Sequence, residues 1–213
     1  MDKNLTTELL SLYVYKGQDK PKCKHYMPIE WMGKKWISAT DAHQVIIIEE
    51  NDLNKIEPPT EQTVDVVRIL PEFNCAVDID INFLKRHYDK IPIVKDELTE
   101  SCDACDGDGK FEHYGEWYDC KTCDYTGECG SGIFKDIPDP SHIFKVKELF
   151  LQNKHIKNLL TVIKASNVKN LTMRYQNNSG ITLFQLDNSI FVGISSILKD
   201  RLEEMDEKTI IEI

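Results

Sequence analysis

Lys35-Trp36-Ile37-Ser38-Ala39-Thr40-Asp41-Ala42-His43-Gln44-Val45-Ile46-Ile47-Ile48-Glu49 is the stretch on which the fold of this chain turns. Residues 35–40 and 44–49 read as two strands, since β-branched and aromatic side chains suit pleated backbone, and the polar residues between them favour a turn. Four consecutive β-branched residues, Val45 to Ile48, predict a strand with both faces covered. Working back toward the start, Cys23 to Trp31 predicts another strand, joined to the first at Gly33 and preceded by a turn at Gly17 to Pro21. Before that, Leu5, Leu9 and Leu12 fall on one side of a short helix with Asn4 as its cap.

Working forward, residues 52–62, with Pro58-Pro59, predict a polar loop, and 64–70 and 76–81 two strands divided by Pro71. A helix capped by Asn82 should then turn Phe83, Leu84, Tyr88 and Ile91 inward and Lys85, Arg86 and Lys90 outward, until Pro92 stops it. The longest amphipathic pattern runs from Val146 to Ala165, with Val146, Leu149, Phe150, Ile156, Leu159, Leu160 and Ile163 in one stripe. At about 100° per residue Lys147 and Lys154 fall opposite that stripe and Lys157 on its flank. Short strands at 168–175, 181–185 and 189–194 follow, with turns at Asn177 to Gly180 and Asp187-Asn188. The expected class is therefore α+β.

Between the two halves stand two Cys-x-x-Cys pairs, Cys102 with Cys105 and Cys120 with Cys123. Two residues between cysteines let one tight turn aim both sulfurs at a single ion, and a second turn completes a closed tetrahedron, so the spacing predicts a structural Zn2+. Gly107, Gly109, Gly127 and Gly130 supply residues that tolerate positive φ. Disulfides or four unrelated thiols are the alternatives, and Cys129 and His113 are possible substitute ligands. With neither a leader pattern nor an apolar run long enough for a bilayer, a reducing cytoplasm without membrane attachment is expected, where thiols bind metal. Four protein ligands leave no open position for water, so the ion is expected to hold structure and not to catalyse.

The formal net charge is −10, yet it is unevenly spread. From Ser141 to Arg174 seven basic residues stand against one acid, a local +6, which leaves −16 for the remainder. The cysteine segment from Glu100 to Gly130 holds nine acids against Lys110 and Lys121, a balance of −7 that repels phosphate. Its aromatic residues Tyr114, Trp117, Tyr118 and Tyr125 suit a protein-binding surface or a miniature core around the metal. A hydrolase triad from Thr40, Asp41 and His43 is excluded by their closeness in one turn, and Asp78 with Asp80 lacks a third acid for magnesium. An enzyme is not expected.

Lys20-Pro21 followed by the Trp36–Val45 stretch resembles the bacterial DNA polymerase sliding clamp, whose repeat carries Thr-Asp-Gly-His-Arg-Leu where this chain has Thr40-Asp41-Ala42-His43-Gln44-Val45. Phe144 to Leu198 resembles the closing segment of the same family, with Ile194, Ser195 and Ser196 in place of its Met-Pro-Met motif. The resemblance implies β-α-β-β-β units with the sheet outside and helices facing double-stranded DNA. Lys85, Arg86, Lys147, Lys154 and Lys157 would then contact phosphate. It also implies non-catalytic processivity or scaffold work in replication, a homo-oligomeric ring, and a pocket at Thr40, His43, Val45 and Ile194 for peptides of DNA polymerase or clamp-loader proteins. The apolar tail Thr209 to Ile213 is expected to fold into that pocket. On this reading 1–98 and 136–198 form one interrupted clamp-like domain, 99–135 an inserted zinc ribbon, and 199–213 an acidic tail. The Cys-x-x-Cys-x-Gly-x-Gly unit also resembles half of the cysteine-rich domain of Hsp40 chaperones, which implies, as the alternative, a zinc-dependent protein-interaction module without DNA binding.

Overall fold

A computed structural model describes residues 3–16, 20–50, 64–70, 72–176, 180–197, 199–203, 205 and 208–213. The expected 52–62 loop, Pro71 and the turn residues 17–19 and 177–179 lie outside them. In chain order the elements are α1 (Lys3–Ser11), β1 (Met27–Trp31), β2 (Lys34–Thr40), β3 (Gln44–Glu49), β4 (Cys75–Ile79) and α2 (Ile81–Tyr88). Then come β5 (Ile93–Ser101), β6 (Lys110–His113), β7 (Glu116–Asp119), β8 (Glu128–Pro138), β9 (His142–Val146) and β10 (Leu149–Gln152). The chain closes with α3 (Asn153–Ser166), β11 (Leu171–Tyr175), β12 (Ile181–Gln185), β13 (Ile190–Ser195), α4 (Lys199–Glu203) and β14 (Thr209–Glu212).

Two compact units result: Met1–Ile91 with Pro140–Ile213, and Pro92–Asp139. In the first, seven strands are ordered β1-β2-β3-β13-β12-β11-β4. Two helix-then-meander segments, α1-β1-β2-β3 and α3-β11-β12-β13, meet where β3 and β13 pair antiparallel from Gln44↔Ile194 to Ile48↔Ile190. The run of β-branched residues in β3 is covered twice over. Ile46 and Ile48 join Leu9, Leu84, Ile156 and Leu159 in a core shared with α1, α2 and α3. Val45 and Ile47 face a second core with Trp36, Phe191 and Val66. There Trp31, Trp36 and Phe191 pack edge to face, with centroids 5.1 to 5.7 Å apart. All three longer helices thus share one face of the sheet, which is the mixed α+β, clamp-like arrangement.

Several local expectations are corrected. Residues 146–152 are not helical: Val146 pairs with Leu149 across a two-residue turn, and the helix begins only at Asn153. Phe144, Val146, Leu149 and Leu151 are buried at period two, and so short an apolar run fits both periods. Lys147 stands in that turn at φ +55°, off the helix. The cap of α2 is Asp80, whose Oδ1 accepts from the Asn82 and Phe83 N–H groups at 2.8 and 3.2 Å, so Asn82 lies inside the helix. Residues 66–69 form a 3-10 turn, not a strand, with Val66 plugging the second core. The strand expected from Cys23 starts at Met27, after a 3-10 turn at Pro21–Cys23. The tail does not enter the pocket: β14 pairs in parallel with β9, from Thr209↔His142 to Glu212↔Lys145.

Candidate metal centre and basic helix face

The second unit is built on β5 and β8, a two-stranded ribbon that ends in the cysteine turns. Cys102, Cys105, Cys120 and Cys123 are buried, and their four sulfurs lie within 4.8 Å of one another. The Cys102–Cys120 and Cys105–Cys123 sulfur separations are 3.9 and 3.7 Å. A tetrahedron with metal–sulfur bonds of about 2.3 Å has edges of about 3.8 Å, so the thiol cage has the size such an ion needs.

The two turns are built alike. Gly109 donates its N–H to Cys105 Sγ at 3.2 Å, and Gly127 does the same to Cys123 Sγ at 3.3 Å. Cys102 N–H donates to the Gly127 carbonyl and Cys120 N–H to the Gly109 carbonyl, both at 2.8 Å, so each turn closes the other. A Cβ on Gly109 would strike the Tyr125 carbonyl, and one on Gly127 the Gly107 carbonyl, which is why both positions are glycine. Backbone N–H groups, that of Cys123 first, hold the Cys120 thiol down to about 6, whereas burial pushes Cys105 up to about 12. Such a set of thiols could hold a metal ion, whose charge would offset the repulsion among thiolates. Cys129 packs against the cluster without joining the four, and His113 is exposed on β6.

In the first unit, α3 exposes Lys154, Lys157, Thr161 and Lys164 on one face while Ile156, Leu159, Val162 and Ile163 are buried on the other. Asn167 ends the helix in the left-handed region at φ 52°, accepting the role glycine often takes there. Lys85 and Arg86 are exposed on α2, which packs beside α3. Lys147 lies apart from this set, in the β9–β10 turn, and Lys145 is tied to Glu212 at 2.8 Å.

The turn between β2 and β3 is closed by its own side chains. Asp41 Oδ1 accepts from the N–H groups of His43 and Gln44 at 2.8 and 2.7 Å, and Thr40 Oγ1 donates to the Gln44 carbonyl at 2.7 Å. Ser195 N–H donates to the His43 carbonyl at 2.8 Å, and Asn158 of α3 reaches the Gln44 side chain at 3.3 Å. Thr40, His43 and Val45 line a shallow hollow of about 20 Å³ with Ile69, Ile181 and Gly193. Ile194 is fully buried on the helix side of the sheet and does not line it, because strand alternation turns it away from Gly193 and Ser195. Sequence reasoning missed His155, which is 4 % exposed, 6.4 Å from the His43 ring and without a partner for Nδ1. Its place on the buried side of an amphipathic helix was its one signal.

No family model and no curated protein matches the sequence. Solved structures do match. The Helicobacter pylori β clamp bound to a DNA ligase peptide is 11% identical, with a TM-score of 0.53 over 92% of this chain and 64% of its own. The Thermotoga maritima DNA polymerase III β subunit is 12% identical, with a TM-score of 0.51 over 93% of this chain and 64% of its own. The Borrelia burgdorferi β subunit is 10% identical, with a TM-score of 0.50 over 92% and 62%. The chain thus spans 62% to 64% of the length of these clamps. At such identities the likeness is one of fold, and the fold of this chain is that of the bacterial sliding clamps.

Proposed function

We propose that this chain is a sliding-clamp-like processivity or scaffold protein of a replication apparatus, non-catalytic and cytoplasmic, that contacts double-stranded DNA through phosphate. The observation that carries this reading is the exposed row Lys154, Lys157 and Lys164 on α3 beside Lys85 and Arg86 on α2, free of interspersed acids. Cations on one helix face act on phosphate without reading sequence. The first unit would assemble into a homo-oligomeric ring, and the hollow at Thr40, His43 and Val45 would receive a polymerase or clamp-loader peptide. Zn2+ at Cys102, Cys105, Cys120 and Cys123 would hold the second unit together, since a closed thiolate set suits that ion.

Replacing Lys154, Lys157 and Lys164 by Glu should weaken duplex DNA association and lower the salt-dependence slope by up to about 3. Lys147→Glu, in the β9–β10 turn, should leave the slope nearly unchanged. Unaltered binding in the triple variant would remove the basis of the proposal, and native mass measurement would test the ring. The second reading, a zinc-dependent interaction module of the kind the Hsp40 resemblance implies, is favoured by the second unit's exposed aromatic residues and would survive loss of DNA binding.

A further inference from the structure

The hairpin β6–β7 stands out because nothing covers it among the described residues: all eight of its strand residues are exposed. Its turn, Tyr114-Gly115, has φ +53° and +81°, the two left-handed residues of a tight hairpin. Tyr114 is 94% exposed, Trp117 65%, and Phe111 and Tyr118 44% each. The interior of this unit is the cysteine cluster with Cys129 packed against it, and no aromatic ring belongs to it. The aromatic residues are therefore not a miniature core around the metal.

Pairing of Phe111 with Tyr118 and of Glu112 with Trp117 gives the ribbon two faces. On one, the Phe111 and Tyr118 rings stack at 6.0 Å and Tyr118 Oη donates to Glu116 at 2.8 Å. On the other, Trp117 lies opposite Glu112, and Lys110 is neutralised by Asp119 at 3.6 Å. Indole and phenol faces beside uncompensated carboxylates match cationic side chains, which gain both ring and carboxylate contacts. The strands pair only with each other, so their outer edges can take a further strand.

We infer that the β6–β7 hairpin is a docking surface for an extended, basic segment of a partner protein, whose Arg and Lys side chains lie over Trp117 and Tyr114 and pair with Glu112 and Glu116. The inference rests on the metal-held second unit of the reading above and is independent of DNA contact by α3.

The test uses the full chain with zinc bound and a labelled peptide of about ten residues in which pairs of Arg or Lys are separated by single Val residues, so that one added strand presents cations to both faces of the ribbon. A peptide with Glu at every basic position and a single-stranded oligonucleotide serve as comparisons. The basic peptide should bind, and binding should fall about tenfold or more both in Trp117→Ala with Tyr114→Ala and in Glu112→Lys with Glu116→Lys. The visible spectrum of the cobalt-substituted variants should keep its four-thiolate form, which separates lost docking from a lost fold. Equal binding of the acidic peptide, indifference to the aromatic substitutions, or oligonucleotide binding that displaces the peptide would each overturn the inference. Failure of the α3 variants to alter DNA association would leave it standing.

Discussion

Ala42 sits at φ +76°, in a region where a Cβ is strained and glycine is not. The clamp repeat that this stretch resembles has glycine at the same place, so the backbone of the turn survives where the residue suited to it does not. Ala42→Gly should raise stability by about 1 kcal/mol, read as a higher denaturation midpoint at unchanged slope. The turn tolerates alanine because Asp41 and Thr40 satisfy its N–H and carbonyl groups from within. His155 makes a second prediction at this scale. Burial first, then the neighbouring Lys154 and His43, lower its pKa to about 4 against the pull of Asp41. Because the folded value lies below the unfolded one, its contribution is complete above about pH 6.5 and is lost as pH falls toward 4. Unfolding at pH 7 and pH 5 should differ by about 2 kcal/mol from this group, and His155→Gln should flatten that difference.

At the scale of elements, the lesson comes from residues 142–166. Val146, Leu149 and Phe150 fit a helical stripe as well as they fit a hairpin, and only the partners of β9 decide between them. Those partners include β14, more than sixty residues away in sequence, which no local pattern could connect to His142–Val146. Ile211 of that strand and Ile213 just after it pack against the helix-side core. Deleting residues 209–213 should therefore destabilise the first unit by about 2 kcal/mol through lost apolar burial, visible in chemical denaturation. Little of that loss would come from the Lys145–Glu212 pair, since Glu212 is 73% exposed and such pairs contribute under about 1 kcal/mol. The meanders β1-β2-β3 and β11-β12-β13, by contrast, were legible from alternation and turn residues, because each strand pairs with its sequence neighbour.

For the whole molecule, the two units differ in what holds them. The first has two apolar cores, one with α1, α2 and α3 and one around Trp36 and Phe191. The second has four cysteines. With Zn2+ held as proposed, a chelator should unfold residues 92–139 alone, because a small unit whose buried cluster is four cysteines would depend on that ion. Fluorescence from Trp31 and Trp36 should stay native while Trp117 reports the loss, measured with the other unit's tryptophans replaced in turn. Simultaneous loss of both signals would show that the units do not fold separately.

By itself the sequence determined the cysteine cage, the α+β class, the two meanders and the surplus of lysine on α3. Each of these is set by spacing along a few adjacent residues, where ligand geometry, strand alternation or helical period acts locally. Only the tertiary structure decided that Lys147 leaves the helix, that Ile194 turns into the core, and that the tail joins β9. Those outcomes depend on which distant backbone offers hydrogen bonds and which face is already buried, and neither is written in any single stretch of the chain.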